Sequence, residues 1–260
     1  MLQTVTVNEE GPAREIVGVE VRDFTREEAL DFVHERIAAS RYTPITFLNA
    51  HNANVAETDP AFREALDGFT VLSDGIGVDI AARILHGQRF RANLNGTDFV
   101  PDLLRAAPDR LRVGLFGGKP GVAARAATRF HEIAPRHEYR VLQHGYVDPI
   151  QEAEVLNALE AWRPDILLVA LGVPKQELWI AQRIDERHCI VPLGIGALFD
   201  LVTGTVPRAP RWIRAIRMEW MYRLTREPGR LWKRYLVGNP VFLARVLRQK
   251  MVGKTGQSHA

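Results

Sequence analysis

Short apolar runs and longer mixed segments alternate along the first four-fifths of the chain. The runs Ile16–Val21, Ile45–Asn49, Phe69–Ser73, Leu111–Phe116, Tyr139–Leu142, Ile166–Ala170 and Ile190–Leu193 have the length and β-branched content of strands. Between them, segments such as "TREEALDFVHERIAA" and "KPGVAARAATRFHEIA" repeat apolar residues at helical spacing. The first carries a helix-start signal, Thr25 with Glu28 three residues on. Strand–helix alternation of this kind predicts an α/β fold, a Rossmann-like, mainly parallel sheet with helices on both faces. In such sheets ligands gather beyond the carboxyl ends of the strands. The segments that follow the runs are "NAHNAN", "SDGIG", "GGKPG", "LGVPKQE" and "GIGALFD".

The pattern changes near Pro207. "RAPRWIRAIRMEWMYRLTREPGRLWKRYLVGNPVFLARVLRQKM" has no strand-like alternation; Ile213, Ile216, Trp220 and Leu224 recur at helical spacing, and "EPG" at Glu227–Gly229 separates one helix from the next. The expected division is a Rossmann-like catalytic domain over residues 1–204 and a helical, membrane-associating appendage over residues 205–260. Charge sharpens that division. From Thr205 to Lys254 ten Arg and three Lys face only Glu219 and Glu227, a local balance of +11. The remainder carries 21 basic and 29 acidic side chains, or −8. A basic end of this kind points to an anionic partner. It is either a solvated helix pair or an interfacial element, with Trp, Tyr, Leu and Met on one side and Arg and Lys on the other. The second reading is preferred, with Trp212, Trp220 and Trp232 at the interface. Nucleic acid is disfavoured, because no nucleic-acid motif occurs and the bulk of the chain is acidic.

Composition adds little except through what is missing. The chain has 260 residues, 46% of them hydrophobic and 25% charged, as in an ordinary globular protein. The single cysteine, Cys189, excludes an internal disulfide and suits a reducing, cytosolic location. No signal-peptide pattern opens the chain, and no apolar run approaches the roughly 18–20 residues of a membrane span. Asp-x-Asp, H-x-x-x-H, H-E-x-x-H and G-x-S-x-G are all absent, which leaves no ground for a zinc hydrolase or for a carboxylate pair on a divalent ion.

The loops supply the positive chemistry. In "VLSDGIGV" an apolar run ends in Asp74, followed by Gly75 and Gly77. A carboxylate there can accept a proton from an attacking hydroxyl, with glycines giving a substrate room; it can equally cap the helix that begins near Ile76. In "FGGKPG", Gly117 and Gly118 follow a strand and open a helix, a geometry that offers backbone N–H groups to phosphate, or simply makes a glycine turn with Pro120 in the first helical turn. The sequence is neither a P-loop nor a G-x-G-x-x-G fingerprint. In "LGVPKQELW", Gln176 and Glu177 can read hydroxyl or amide groups of a ligand, and "GIGALFD" brings Asp200 to the same edge.

Taken together, "SDGIGV", "NLNGTDF", "LFGGKPGVA", "LGVPKQELWI", "GIGALFDLVTGTVPRAPRW" and "MEWMYRLTREPGRLWKRY" resemble, in order and spacing, the WecG/TagA/CpsF family of bacterial glycosyltransferases from about Ile16 to Leu247. "NLNGTDF" is more similar to the exopolysaccharide branch, such as the xanthan-type glucosyltransferases. The resemblance implies transfer of a hexose or N-acetylhexosamine from a UDP-sugar to a polyprenyl-pyrophosphate-linked sugar, in polysaccharide biosynthesis at the cytoplasmic face of the bacterial inner membrane. It implies inversion at the anomeric carbon, no metal and no cofactor. It places the base on Asp74 and donor contacts on Asn49, Thr46, Asn93, Gln176 and Asp200. Thr46 stands one position further from Asn49 than in the family pattern. Asn93 stands where relatives carry an arginine, so donor phosphate would fall to Arg91 or the tail. Arg223, Arg230 and Arg234 match arginines that close the site over pyrophosphate. A homo-oligomer is compatible with all of this. The rival from another class is a non-catalytic nucleotide- or lipid-binding regulator on the same fold.

Overall fold

The computed structural model describes residues 11–210, 213 and 219–257, with the side chains of Arg230 and of residues 253–257 left out. The expectations for Trp212, Ile216 and the Arg230 side chain therefore lie outside the described residues. Eight strands form one sheet in the order β1-β2-β4-β3-β8-β7-β5-β6. They are β1 (Ala13–Ile16), β2 (Val19–Arg22), β3 (Ile45–Leu48), β4 (Thr70–Ser73), β5 (Arg112–Gly117), β6 (Glu138–Gln143), β7 (Ile166–Ala170) and β8 (Val191–Gly194). All neighbours run parallel except β1 and β2. The α/β, Rossmann-like reading holds.

One expected strand is two. Ile16–Val21 is interrupted at Val17–Gly18, where both residues adopt positive φ and Ile16 pairs with Val19 across a two-residue hairpin turn. Arg63 ties the turn down by donating to the carbonyls of Val17 and Gly18. An apolar run hides such a turn because both arms of the hairpin bury Ile16, Val17, Val19 and Val21 in the same core.

The helices that matter to the site are α1 (Arg26–Ala38), α2 (Ala50–Thr58), α3 (Pro60–Leu66), α4 (Ile76–His86), α5 (Gly96–Ala106), α6 (Val122–Ile133), α7 (Pro149–Trp162), α8 (Lys175–Arg183) and α9 (Leu198–Val202). The sequence signal at the start of α1 is a complete capping box: Glu28 N donates to Thr25 Oγ1 at 3.2 Å and Thr25 N to Glu28 Oε2 at 3.0 Å. Strands β3, β7 and β8 are buried along their whole length, as a sheet covered on both faces requires. One core packs Phe47, Phe99, Phe130 and Phe199 under α1, α5 and α6. The opposite face packs Leu48, Phe62, Val71 and Val78 beneath α2 and α4.

The basic C-terminal stretch is helical, with helices Glu219–Arg226 and Pro228–Trp232, a π-helical turn Lys233–Val237 and a long helix Gly238–Gln257. Glu227–Pro228 breaks the first from the second, as the sequence predicts. The long helix is not a free arm. Phe242 and Val246 are fully buried in the core beneath α2 and α4. Asn54 of α2 donates to Gly238 O at 2.7 Å and accepts from Arg245 at 2.8 Å, while Gln249 bonds Val17 N and Glu15. No described helix is long and apolar enough to cross a membrane.

Candidate active site

The order of strands fixes where a ligand can sit. From β3 the chain steps to β4 on one side, while the later strands fill the other, so β3 and β8 meet at the switch point of the sheet. The carboxyl ends of β3, β4 and β8 deliver Asn49, Asp74 and Gly194–Gly196 to that edge.

Asp74 is fixed from both sides. Its N–H donates to Leu48 O at 2.9 Å, continuing the parallel ladder, and its carboxylate accepts from Asn49 Nδ2 at 3.2 Å. It is not a helix cap: α4 starts after Gly75, and no side chain caps it. Burial pushes the Asp74 pKa above the ordinary carboxylate range. The Asn49 hydrogen bond and the charges of Arg234 and Arg223 pull against that shift, and Asp98 adds to it. The balance of these effects leaves the pKa raised, with the two arginines drawing it back. Asn49 does three things at once. Its Oδ1 caps α2 through His51 N and Asn52 N at 3.0 and 3.1 Å, it holds Asp74, and it lies 3.5 Å from Arg234 Nη2.

The two glycines after Asp74 have different causes. Gly75 sits at φ 89° and ψ 166°, a region that a side chain strongly disfavours, and a Cβ there would face open space. Gly77 makes room for protein rather than for a ligand: its Cβ would stand 3.3 Å from Ala50 Cβ, where α4 packs on α2. Asn93 holds the same loop, its Oδ1 accepting from Gly75 N at 2.8 Å. Arg91 is engaged elsewhere, with Glu28 and with the carbonyl of Asp23, so its guanidinium is a strut of the β2–α1 corner.

A second, interior network lies across the crevice. Thr46 Oγ1 donates to Glu177 Oε1 at 2.7 Å, and Gln176 Nε2 donates to the same oxygen at 2.9 Å. Gln176 Oε1 accepts from Gly172 N and Gly196 N at 3.2 and 3.0 Å. The three side chains are buried, and burial raises the Glu177 pKa. They bind one another and clasp the loops after β7 and β8. Gly117 and Gly118 lie further along the edge, where Gly118 N donates to Ala170 O and Gly118 O accepts from Gly145 N, both at 2.8 Å. Pro120 lies before the first turn of α6, which opens at Val122 after Gly121 with no side-chain cap. Asp200 is half-buried in α9, and its carbonyl accepts from Val206 N at 3.0 Å.

The structure thus brings Asp74, Asn49, Asn93, Arg223 and Arg234 together and sets Thr46 with Gln176. It also adds residues that sequence reading passed over. His51, in the first turn of α2, is half-buried beside Arg234; burial first and that charge second lower its pKa to about 4, so its ring is neutral at neutral pH. Asp98, Arg208 and Glu219 join the charge cluster. "NAHNAN" and "VPRAPRW" held the signals for His51 and Arg208, but only the fold brings them to one place. Among the described residues, no group of three His, Cys, Asp or Glu side chains could hold a metal ion.

Fold and site define an α/β protein whose half-buried carboxylate stands among arginines at the switch point of a mainly parallel sheet. The family is shown directly: residues 14–256 match the model of the glycosyl transferase WecG/TagA/CpsF family, and the chain belongs to it. Among relatives, it is 34% identical over 184 residues to the N-acetylglucosaminyldiphosphoundecaprenol N-acetyl-beta-D-mannosaminyltransferase of Bacillus spizizenii, covering 69% of this chain and 68% of that one. It is 32% identical over 216 residues to the Bacillus subtilis protein of the same name, covering 81% of each. The Staphylococcus aureus protein of that name is 28% identical over 210 residues, covering 79% of this chain and 80% of that one.

Proposed function

We propose that this glycosyltransferase moves a sugar from a UDP-sugar to a sugar carried on a polyprenyl diphosphate, with inversion, at the cytoplasmic face of the membrane. The observation that carries the reading is the Asp74 carboxylate, half-buried, steadied by Asn49 at 3.2 Å and set in the field of Arg234 and Arg223. The names of the relatives support the lipid-linked acceptor. In the step, Asp74 takes the proton of the acceptor hydroxyl as its oxygen attacks C1 of the donor. The C1–O bond to the diphosphate breaks on the opposite face, and one displacement inverts the anomeric centre. Charge that grows on the leaving diphosphate meets Arg223, Arg234 and backbone amides at the sheet edge. Asn93 keeps the Asp74 loop in place, and the Thr46–Gln176–Glu177 network fixes the loops that border the donor. The catalytic domain runs to residue 204, and the helices beyond it bring arginines to the site and the chain to the membrane.

The test is UDP release by the purified full chain. The acceptor is N-acetylglucosamine on a short prenyl diphosphate, and the donors are UDP-N-acetylmannosamine, UDP-N-acetylglucosamine and UDP-glucose. Turnover with one donor supports the proposal and names the sugar. Binding without release with every donor overturns it in favour of a non-catalytic binding protein. The arginines do the work proposed for them only if turnover survives excess EDTA at close to its full rate; loss with EDTA and recovery with Mg²⁺ or Mn²⁺ would refute that assignment.

A further inference from the structure

Arg208 lies in the segment that leads from α9 to the C-terminal helices. Its Nη2 donates to Asp98 Oδ1 at 2.5 Å, across 110 residues of sequence. Its Nε is buried and has no hydrogen-bond partner, although a guanidinium carries five donors and is costly to cover without acceptors. Arg223 repeats the arrangement, with a buried Nε that lacks a partner. The two are neighbours in charge: Glu219 feels Arg208, Arg223, Asp98 and Asp74 together. A cleft of about 150 Å³ borders the ion pair, with Thr97, Asp98, Asp102, Arg105, Leu198 and Arg208 in its wall.

An ordinary surface ion pair does not explain these features. The Arg208 and Asp98 side chains are only 28% and 33% exposed, so the pair stands mostly out of water yet satisfies Arg208 through one terminal nitrogen. A buried donor without an acceptor on Arg208, which lines the cleft, and a second on Arg223, suit a group with several anionic oxygens. Resting on the proposed glycosyl transfer, we infer that Arg208 is a diphosphate-binding residue of the active site, held on Asp98 until the anion takes its place. Asp98 is the holding partner: it fixes the guanidinium beside the cleft until the anion arrives. Glu219 does not oppose the incoming anion strongly. Burial raises its pKa, so its carboxyl takes up a proton more readily than an exposed one when negative charge arrives.

Diphosphate occurs in both substrates, so the experiment has two arms. Binding of UDP and of a short prenyl diphosphate carrying N-acetylglucosamine is measured by calorimetry on the full chain, in the wild type, Arg208→Met and Asp98→Asn. Arg208→Met is expected to weaken at least one ligand by about tenfold or more, the scale of losing charge-assisted hydrogen bonds. The arm that weakens identifies the source, and loss in both means that the site serves both diphosphates. Asp98→Asn, which releases the arginine but keeps its place, should bind the same ligand at least as tightly as the wild type. Should Arg208→Met fail to fold, Arg208→Lys carries the test: it keeps the ion pair but not the planar fork, and is expected to bind about threefold or more weakly. Unchanged binding in both arms overturns the inference. Equal losses from Arg208→Met and Asp98→Asn also overturn it, since the pair is then a staple of the fold. Failure of sugar transfer by the wild type would sink the proposed function while leaving this comparison readable.

Discussion

A buried carboxylate serves as a base only while its environment neither keeps it neutral nor binds its charge too firmly. Asp74 stands between those limits, pushed up by burial and by Asp98, pulled down by Asn49, Arg234 and Arg223, with the upward push ahead. Its acid limb in a profile of kcat/KM against pH should therefore lie above the ordinary carboxylate value of about 3.9, with the rate falling as pH drops through it. Asp74→Asn keeps the size of the side chain but takes no proton, so turnover should fall on the order of 10²–10⁴. Stability should move the other way. A carboxylate with a raised pKa in the fold costs stability once pH exceeds its unfolded value, so the Asn variant should melt no lower than the wild type at neutral pH. Near-normal turnover, or a clear drop in melting temperature, would count against Asp74 as a base with a raised pKa. The sequence showed Asp74 because the carboxylate ends an apolar run. It could not show that Asn49 holds Asp74, since a cap and a side chain that braces a carboxylate look alike until the β3 and β4 ends are set side by side.

At the scale of elements, the strand–loop–helix units were readable because strands buried on both faces leave continuous apolar runs. What escaped was direction. Gln176 and Glu177 open α8, where polar side chains usually meet solvent, yet both are buried, because this first turn packs over the loop after β8. Gly75 shows the converse: the glycine is plain in the sequence, and its reason is the backbone at φ 89°. Gly75→Ala meets no steric wall, so its cost should be conformational, about 1–3 kcal/mol in chemical denaturation, the range for strained backbone. The same change should displace Asp74 and lower turnover with donor binding largely kept. A variant with wild-type stability would show that the loop after β4 relaxes without harm. Asn93→Ala should resemble it more weakly, because it removes the acceptor at 2.8 Å that holds Gly75 N.

The whole molecule is electrically divided, and its basic end has two faces. The inner face is committed to the protein: Phe242 and Val246 fill the core, Arg245 binds Asn54, and Arg234 approaches Asn49. The outer face leaves Trp232, Leu236, Val237, Val241, Leu247 and Met251 exposed, with Arg248 among them. An apolar stripe bordered by cations suits an anionic bilayer surface, where each Lys or Arg contributes about 1 kcal/mol. Charge counting alone cannot sort the arginines between these faces; Arg245, for example, is a docking residue in the fold. Exposed residues are therefore the ones to change. Leu247→Asp with Met251→Asp, and separately Arg248→Ser, should weaken co-sedimentation with vesicles rich in phosphatidylglycerol. Only the loss from Arg248→Ser should shrink at high salt. Turnover of the water-soluble prenyl acceptor should be unaffected by either. Arg223→Met should do the reverse, cutting turnover on the soluble acceptor while vesicle binding persists. If the outer-face variants sediment like the wild type, the exposed stripe meets something other than a membrane. If all of them lose turnover and binding together, the basic end acts as one surface and not as two.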